Sequence, residues 1–447
     1  MAARRGKRTA GRKRWRGRRG GTRLIGGADL VGDGEARAII REMLQKLKDD
    51  GYIGTIRSDL SHDKICVFVK IKNRMLKNDG LFDSLLDIAR SHNIERFQSI
   101  FKVSDINWLT SNVAVFCMLE RFEHISKIFK LISNKSFSSV YHPPDYVLDA
   151  LLESLDGYMY QGAARCQRLV DVDLRNKIAH NEYWWDEWDG ELALQFNTGN
   201  KHRKIKLSDL KGTFGRLSLV IEEIHETCQK LGCWYDPSYE RDCEKMLQDN
   251  GEGRHDEGGG TRPDDGPGLV SDDEARTIIR GLFQRLKGDG YIDSMRYNQK
   301  RDEICVFDQS RNRMRENRLL FAKLIQSYKN GNIEVLYTSF GEEKTDLMTL
   351  DHALLCLLER FEHIPRTFKM ICKKKFFDEE YKKPDYMLGT LLRILDRYLY
   401  SPDSRKCRGL VDTHFRNKIA HNEYWQGTKD GKFALQFMAG KRCRKIG

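Results

Sequence analysis

Two short stretches hold the side chains best suited to chemistry. Arg175, Asn176 and His180 return as Arg416, Asn417 and His421, both with the spacing Arg-Asn-x-x-x-His. Each stretch reads as the end of a helix, where side chains five apart point about 140° from one another and therefore flank an edge. Asn176 and His180, four apart, share a face, and a hydrogen bond between them would select the imidazole tautomer. Carbonyls at a helix end favour a charged imidazole and a neighbouring Arg disfavours it, so the spacing leaves the direction of any shift open. The residue types suit cleavage of RNA without a metal. A base takes the 2′-OH proton, an acid protonates the departing 5′-oxygen, and positive charge meets the developing phosphorane. One imidazole cannot hold both protonation states at once, whereas two copies facing each other around one phosphate supply both. A domain that merely pairs with its copy would display the same duplication.

The duplication extends well beyond these stretches. Leu119-Glu-Arg-Phe-Glu-His-Ile125 returns as Leu358-Glu-Arg-Phe-Glu-His-Ile364, and Asn73-Arg-Met75 returns as Asn312-Arg-Met314. Arg175 to Trp184 returns as Arg416 to Trp425 with an insertion of only two residues relative to the earlier matches. A repeat of this length is a duplicated domain and not a short solenoid unit. Gly, Pro and charge without apolar periodicity mark 246–268 as an acidic, Gly-rich linker. The copies therefore span 30–245 and 269–447, behind a tail of residues 1–29.

Helical periodicity predicts four main elements in the first copy. The first runs from Leu109 to Ile132, and the second opens at Pro144 and continues through Leu148, Leu151, Leu152, Leu155 and Tyr158. The third spans Ala164 to Asn181 and carries the Arg-Asn-x-x-x-His residues. The fourth, from Leu210 to Leu231, has no counterpart in the second copy. A domain lacking it would expose apolar surface and lean on the first copy or on a partner. Ahead of these helices, a short helix (capping-box spacing at Ser271 to Glu274 in the second copy) leads to apolar runs at Ile65 to Phe68 and Ile304 to Phe307, which read as strands. Asp189-Gly190 and Asp430-Gly431 between apolar runs predict a β-hairpin after the motif helix. The expected fold is mainly α: tandem four-helix bundles, each with a small α/β N-terminal extension and a β-hairpin.

The net charge of +13 belongs mostly to the tail, where residues 1–23 hold eleven Lys or Arg and no acid. Arg12, Lys13, Arg14, Arg16, Arg18 and Arg19 in this Gly-spaced segment suit phosphate contacts, because each neutralised phosphate releases counterions. The segment equally suits nuclear targeting. Tyr183, Trp184, Tyr424 and Trp425 are candidates to stack unpaired bases, with packing over the bundle end as the other reading. Glu120, Arg121, Glu123 and His124, with Glu359, Arg360, Glu362 and His363, either line the same cleft or form an interdomain face. Eleven cysteines without a C-x-x-C pair read as reduced thiols, and Cys228, Cys233 and Cys243 match no common zinc spacing, so no metal or other cofactor is expected. The chain has neither an apolar signal core nor a run long enough for a membrane helix, which predicts a cytoplasmic or, through the tail, nuclear protein without a membrane partner.

Arg-Asn-x-x-x-His late in a four-helix bundle resembles the HEPN superfamily (higher eukaryotes and prokaryotes nucleotide-binding domains). The likeness covers about 109–231 and 348–447; the N-terminal extension lies outside it. The resemblance implies a metal-independent endoribonuclease, of a toxin, defence or RNA-processing system, that acts as a dimer and leaves 2′,3′-cyclic phosphate ends. Its composite site would use Arg175, Asn176, His180, Arg416, Asn417 and His421, with RNA as partner and an intramolecular pseudo-dimer or a homodimer as the assembly. Two other functions fit the same residues. One is a non-catalytic RNA-binding or dimerisation module, and the other is the regulatory partner of a separate nucleotidyltransferase.

Overall fold

The computed structural model describes residues 30–54, 62–91, 101–141, 147–198, 201–234, 269–292, 301–330, 332, 334–381, 388–401, 403–421, 423–429, 432–439 and 442–446. The basic tail, the linker, Cys243, Pro144 and the Asp430-Gly431 turn lie outside them. The fold is mainly helical with two small sheets. In the first copy α1 (Asp33–Asp49) places Ala36, Ile39, Ile40, Met43, Leu44 and Leu47 on one buried face. Two 30-residue helices follow, α2 (His62–Ser91) and α3 (Val103–Ile132). The start of α3 is fixed by Lys102 N donating to Asp105 Oδ2 at 2.8 Å. Next come α4 (Leu148–Tyr160), α5 (Val172–Ala179), strands β1 (Trp184–Trp188), β2 (Glu191–Thr198) and β3 (Lys201–Lys206), and α6 (Leu210–Lys230).

The second copy repeats this order through α7 (Asp272–Gly288), α8 (Arg301–Lys329), a short α9 (Glu334–Phe340) and α10 (Glu342–Ile371). It continues with α11 (Leu388–Leu399), α12 (Thr413–Ala420), β4 (Trp425–Lys429), β5 (Lys432–Ala439) and β6 (Arg442–Ile446).

At the centre α3 packs on α2, α5 and α6 of its own copy and on α10 of the other. One apolar cluster therefore joins Phe116, Leu119 and Ile178 of the first copy to Leu355, Leu358 and Ile419 of the second. A separate cluster, including Ile278, Leu282, Leu286, Leu391 and Leu395, lies in the outer part of the second copy. No described helix is long and apolar enough to cross a membrane.

Three sequence expectations change. The apolar runs at Ile65 to Phe68 and Ile304 to Phe307 belong to helices α2 and α8, so among the described residues the extension is helical and not α/β. Its only β features there are the isolated bridges Ile53–Ser133 and Ile292–Cys372. Four apolar residues fit a strand and a buried helix turn equally, and the buried polar Arg74 and Asn78 interrupt the apolar stripe that would have extended the helical reading. The hairpin is in fact a three-stranded antiparallel meander. Asp189 (φ +51°) and Gly190 (φ +74°) make its first turn, the doubly left-handed geometry that Asp-Gly accepts readily. Lastly, Cys66 is disulfide-bonded, whereas Cys117, Cys166, Cys228, Cys233, Cys305, Cys356, Cys372 and Cys407 are free thiols.

Candidate functional site

The motif helix is shorter than its periodicity suggests, because its start and end are both set by side chains. Asp171 caps α5 by accepting from Leu174 N at 3.0 Å, and Asp412 caps α12 by accepting from Phe415 N at 2.8 Å. Arg203 on β3 donates to Asp171 at 3.1 Å, so the third strand anchors the helix start. The preceding loop hangs from α4: buried Asp156 accepts from Cys166 N at 2.6 Å and from Gln167 N at 3.0 Å. Asp396 does the same for Cys407 N at 2.6 Å and Arg408 N at 3.2 Å. These bonds hold Cys166, Leu169 and Val170 in the core without helix, and those buried apolar residues had mimicked another turn of it. At the other end His180 is the C-cap, Asn181 turns left-handed (φ +57°), and Lys177 pairs with Glu182 at 2.6 Å. The chain leaves the helix immediately after the histidine and keeps its ring in solvent.

The arginines face the other way. Arg175 is buried and donates through Nε to Glu123 Oε1 on α3 at 3.0 Å, with a second nitrogen on the same oxygen. Its Nη1 donates to Asn176 Oδ1 at 3.0 Å. Arg416 repeats this with Glu362 Oε1 on α10, at 2.7 Å from Nε, and with Asn417 Oδ1 at 3.0 Å. The motif asparagine thus accepts from its neighbouring Arg, where the sequence had suggested a bond to His.

Each carboxylate's second oxygen reaches the opposite copy. His421 Nδ1 lies 3.3 Å from Glu123 Oε2, and His180 Nδ1 lies 3.9 Å from Glu362 Oε2. The structure therefore brings together Arg175, Asn176 and His421 around Glu123, and Arg416, Asn417 and His180 around Glu362. The two histidine side chains remain 55% and 42% exposed for His180 and His421, while both glutamates are buried. Burial by itself would raise the Glu123 carboxyl. The charge of Arg175 and the hydrogen bond and charge of His421 outweigh it and hold the group down at about 2. Glu362 is lowered for matching reasons, burial being overcome by His180 and Arg416. A carboxylate that stays ionised can only accept, so the facing Nδ1 of His421 carries the proton and Nε2 is turned away from the glutamate.

A second pair of reciprocal contacts fastens the copies beneath this site. Arg74 on α2 pairs with Glu120 at 2.6 Å, donates to Tyr424 O at 3.1 Å, and lies 3.7 Å over the Tyr424 ring. Arg313 on α8 pairs with Glu359 at 2.6 Å, donates to Tyr183 O and Asn181 Oδ1, and lies 3.8 Å over the Tyr183 ring. Asn78 and Asn317 donate to the same glutamates at 2.7 and 2.8 Å. Tyr183 and Tyr424 are consequently buried against arginines and offer no platform for a base. Trp184 is also buried and stacks on His202 at 5.3 Å. Trp425 lies on β4. His124 stacks on Phe68 at 4.6 Å and His363 on Phe307 at 4.8 Å; burial pushes His124 well down and His363 down to about 4, so both stay neutral packing residues.

Two cations near the histidines escaped sequence reasoning. Arg366 donates to His180 O at 2.7 Å and to Ser310 Oγ at 3.0 Å. The first copy has Lys127 at the matching position, where burial, opposed by Glu423 and Glu123, lowers the ammonium to about 7. The signal was present as the fourth residue after each Glu123-type glutamate, one turn along the same helix face. The chain has no match among family models, curated proteins or solved structures, so the arrangement of these side chains carries the functional reading.

Proposed function

We propose that the chain is a metal-independent endoribonuclease with one active site assembled from both copies. The supporting observation is the exchange of partners at the centre: each exposed motif histidine meets the glutamate that holds the other copy's motif arginine. In this reading one motif histidine, oriented by the glutamate it faces, presents Nε2 as the base that removes the 2′-OH proton as the 2′-oxygen attacks phosphorus. The other motif histidine, protonated, gives its proton to the 5′-oxygen as the P–O bond breaks. The products are a 2′,3′-cyclic phosphate and a free 5′-hydroxyl. Arg175 and Arg416 position the two glutamates, since each is occupied by a carboxylate and an asparagine. The resemblance of the Arg-Asn-x-x-x-His spacing to HEPN domains, which rests on these same residues, agrees with the reading. The basic tail would add sequence-blind phosphate contacts.

A second reading, a non-catalytic RNA-binding or pairing module, is favoured by one feature. Both motif arginines are already engaged, so neither is free to meet a phosphate in this arrangement. Labelled single-stranded RNA incubated with the protein in EDTA separates the two. Cleavage to fragments ending in 2′,3′-cyclic phosphate is the expected result. RNA that is bound but uncut would refute the nuclease and support the module.

A further inference from the structure

Two equivalent buried contacts between the copies differ by one residue. Arg74, Asn78 and Glu120 of the first copy correspond to Arg313, Asn317 and Glu359 of the second, at the offset of 239 shared by the Leu-Glu-Arg-Phe-Glu-His-Ile repeat. By the same offset Asn112 on α3 corresponds to Asp351 on α10. Asn112 and Asp351 are only 2% and 1% exposed.

In the Asn112 half the polar groups form a chain. Arg313 pairs with Glu359 at 2.6 Å, Asn317 donates to the same carboxylate at 2.8 Å, and Asn112 crosses from the other copy to donate to Asn317 Oδ1 at 3.0 Å. In the Asp351 half the first two links are the same: Arg74 pairs with Glu120 at 2.6 Å, and Asn78 donates to Glu120 Oε2 at 2.7 Å. The third link differs. Asn78 Oδ1 and both oxygens of Asp351 are buried without a hydrogen-bond partner among the described residues. An amide has its donor on one side and its acceptor on the other, so Asn78 cannot serve Glu120 and an ionised Asp351 together. The charges around Asp351 come from Arg74 on α2 and Glu120 on α3. The Cys117 thiol of α3 and the Tyr424 hydroxyl before β4 also stand near it, and that hydroxyl makes no hydrogen bond either. Further out, Arg121 and Asp79 pair with each other. On α10 itself His352 turns to Asn112 at 3.0 Å, and burial pushes it down to about 4, so it brings no charge at neutral pH. Arg74 is thus opposed by two carboxyl groups, and ionising both would leave a buried negative charge uncompensated.

We infer that Asp351 is protonated at neutral pH and donates a hydrogen bond to Asn78 Oδ1, a proton-dependent latch that closes across the copies the bond Asn112 makes in the other half. Burial and the Glu120 charge hold the Asp351 carboxyl well above the usual carboxylate range, with Arg74 opposing them. The proton sits on Asp351 and not on Glu120, because Arg74 and Asn78 both donate to Glu120 and no described group donates to Asp351. When the proton leaves, a bare carboxylate faces an amide oxygen beside Glu120, and α10 is pushed away from α2 and α3. Glu120 stands one turn before Glu123 on α3, so loosening there reaches the Glu123–His421 and Glu362–His180 pairs. The motifs are therefore held together at neutral and acidic pH and released on the alkaline side. The latch holds whatever reaction the motifs perform.

Unfolded, Asp351 ionises above its ordinary value of 3.8, whereas folded it keeps the proton to higher pH. Its contribution to stability is therefore fully present below 3.8 and is lost as the pH rises toward the folded value. The test compares urea unfolding of the full chain with that of Asp351→Asn, which sets a permanent amide donor opposite Asn78, from about pH 5 to about pH 8. Asp351→Asn should be the more stable chain at the upper end, with the ratio of the two folding constants growing about tenfold per pH unit. In the infrared at neutral pH, the parent should show the C=O band of a protonated carboxyl group that Asp351→Asn lacks. Hydrogen exchange of the last turn of α5 should gain on its intrinsic rate as the pH rises in the parent and not in the variant. A ratio that stays constant across the range overturns the inference, as does an infrared band that survives the substitution. Equal protection of α5 in the two chains at the upper pH, or an Asp351→Asn chain that fails to fold, overturns it too.

Discussion

The two copies match closely around the paired motifs and differ on their outer faces. At the centre the contacts around the motifs are reciprocal: Arg74 on Tyr424 and Arg313 on Tyr183, Glu123 facing His421 and Glu362 facing His180. At the periphery α1 is packed against α6, while α7 has the exposed Ile279 and the exposed Arg276 and Arg280 at the equivalent positions. A residue at the centre serves both copies, so its chemical type is constrained twice. A residue on the outer face answers only to whatever covers it. The apolar cluster of the first copy continues into the second through α8 and α10, and the second copy has a further cluster of its own.

The largest expected effect lies in the central clasp. Arg313→Ala strands Glu359 in a dry interface, where removing one partner of a buried ion pair costs about 3–5 kcal/mol. Urea unfolding of Arg313→Ala and Arg74→Ala should give similar losses; a large loss in one and none in the other would break the reciprocity. Next comes the contrast between the outer faces. Ile40→Ala removes a fully buried side chain and should cost about 2–5 kcal/mol, whereas Ile279→Ala should stay within about 0.5 kcal/mol. Equal losses would mean that the two faces are covered alike.

A smaller effect concerns pH. The Glu123 carboxyl is lowered from 4.5 to about 2 by its partners. Its contribution to stability is fully present above pH 4.5 and is lost as the pH falls toward 2. Glu123→Gln should therefore flatten the fall in stability across that window relative to the parent chain, and parallel curves would show that Glu123 is not held in this way.

Much of this organisation was legible in the sequence, and the failures have physical causes. The duplication, the apolar stripe of α3, the Asp-Gly turn and the exposed histidines at a helix end all follow from short-range pattern. The helices α2 and α8 were hidden because they bury Arg74, Asn78, Arg313 and Asn317, polar residues whose partners lie on other elements. Strand β3 was missed because Lys201 to Lys206 is almost wholly polar and earns its place by pairing with β2. The sequence left Tyr183 and Tyr424 open between base stacking and packing over the bundle end, because nothing local announces an arginine arriving from the other copy. The sequence left Glu123 open between the cleft and an interdomain face, because its position between Arg175 and His421 depends on three helices and both copies.

The central claim is that His180 and His421 belong to one site. The most direct measurement is the cleavage rate of a short single-stranded RNA in EDTA by the parent chain, by His180→Ala, by His421→Ala and by the double variant. A shared site predicts that each single substitution lowers the rate about 10²–10⁴-fold and that the double variant is little worse than either. Two single variants that each retain about half the parental rate, with all activity lost only in the double variant, would contradict it.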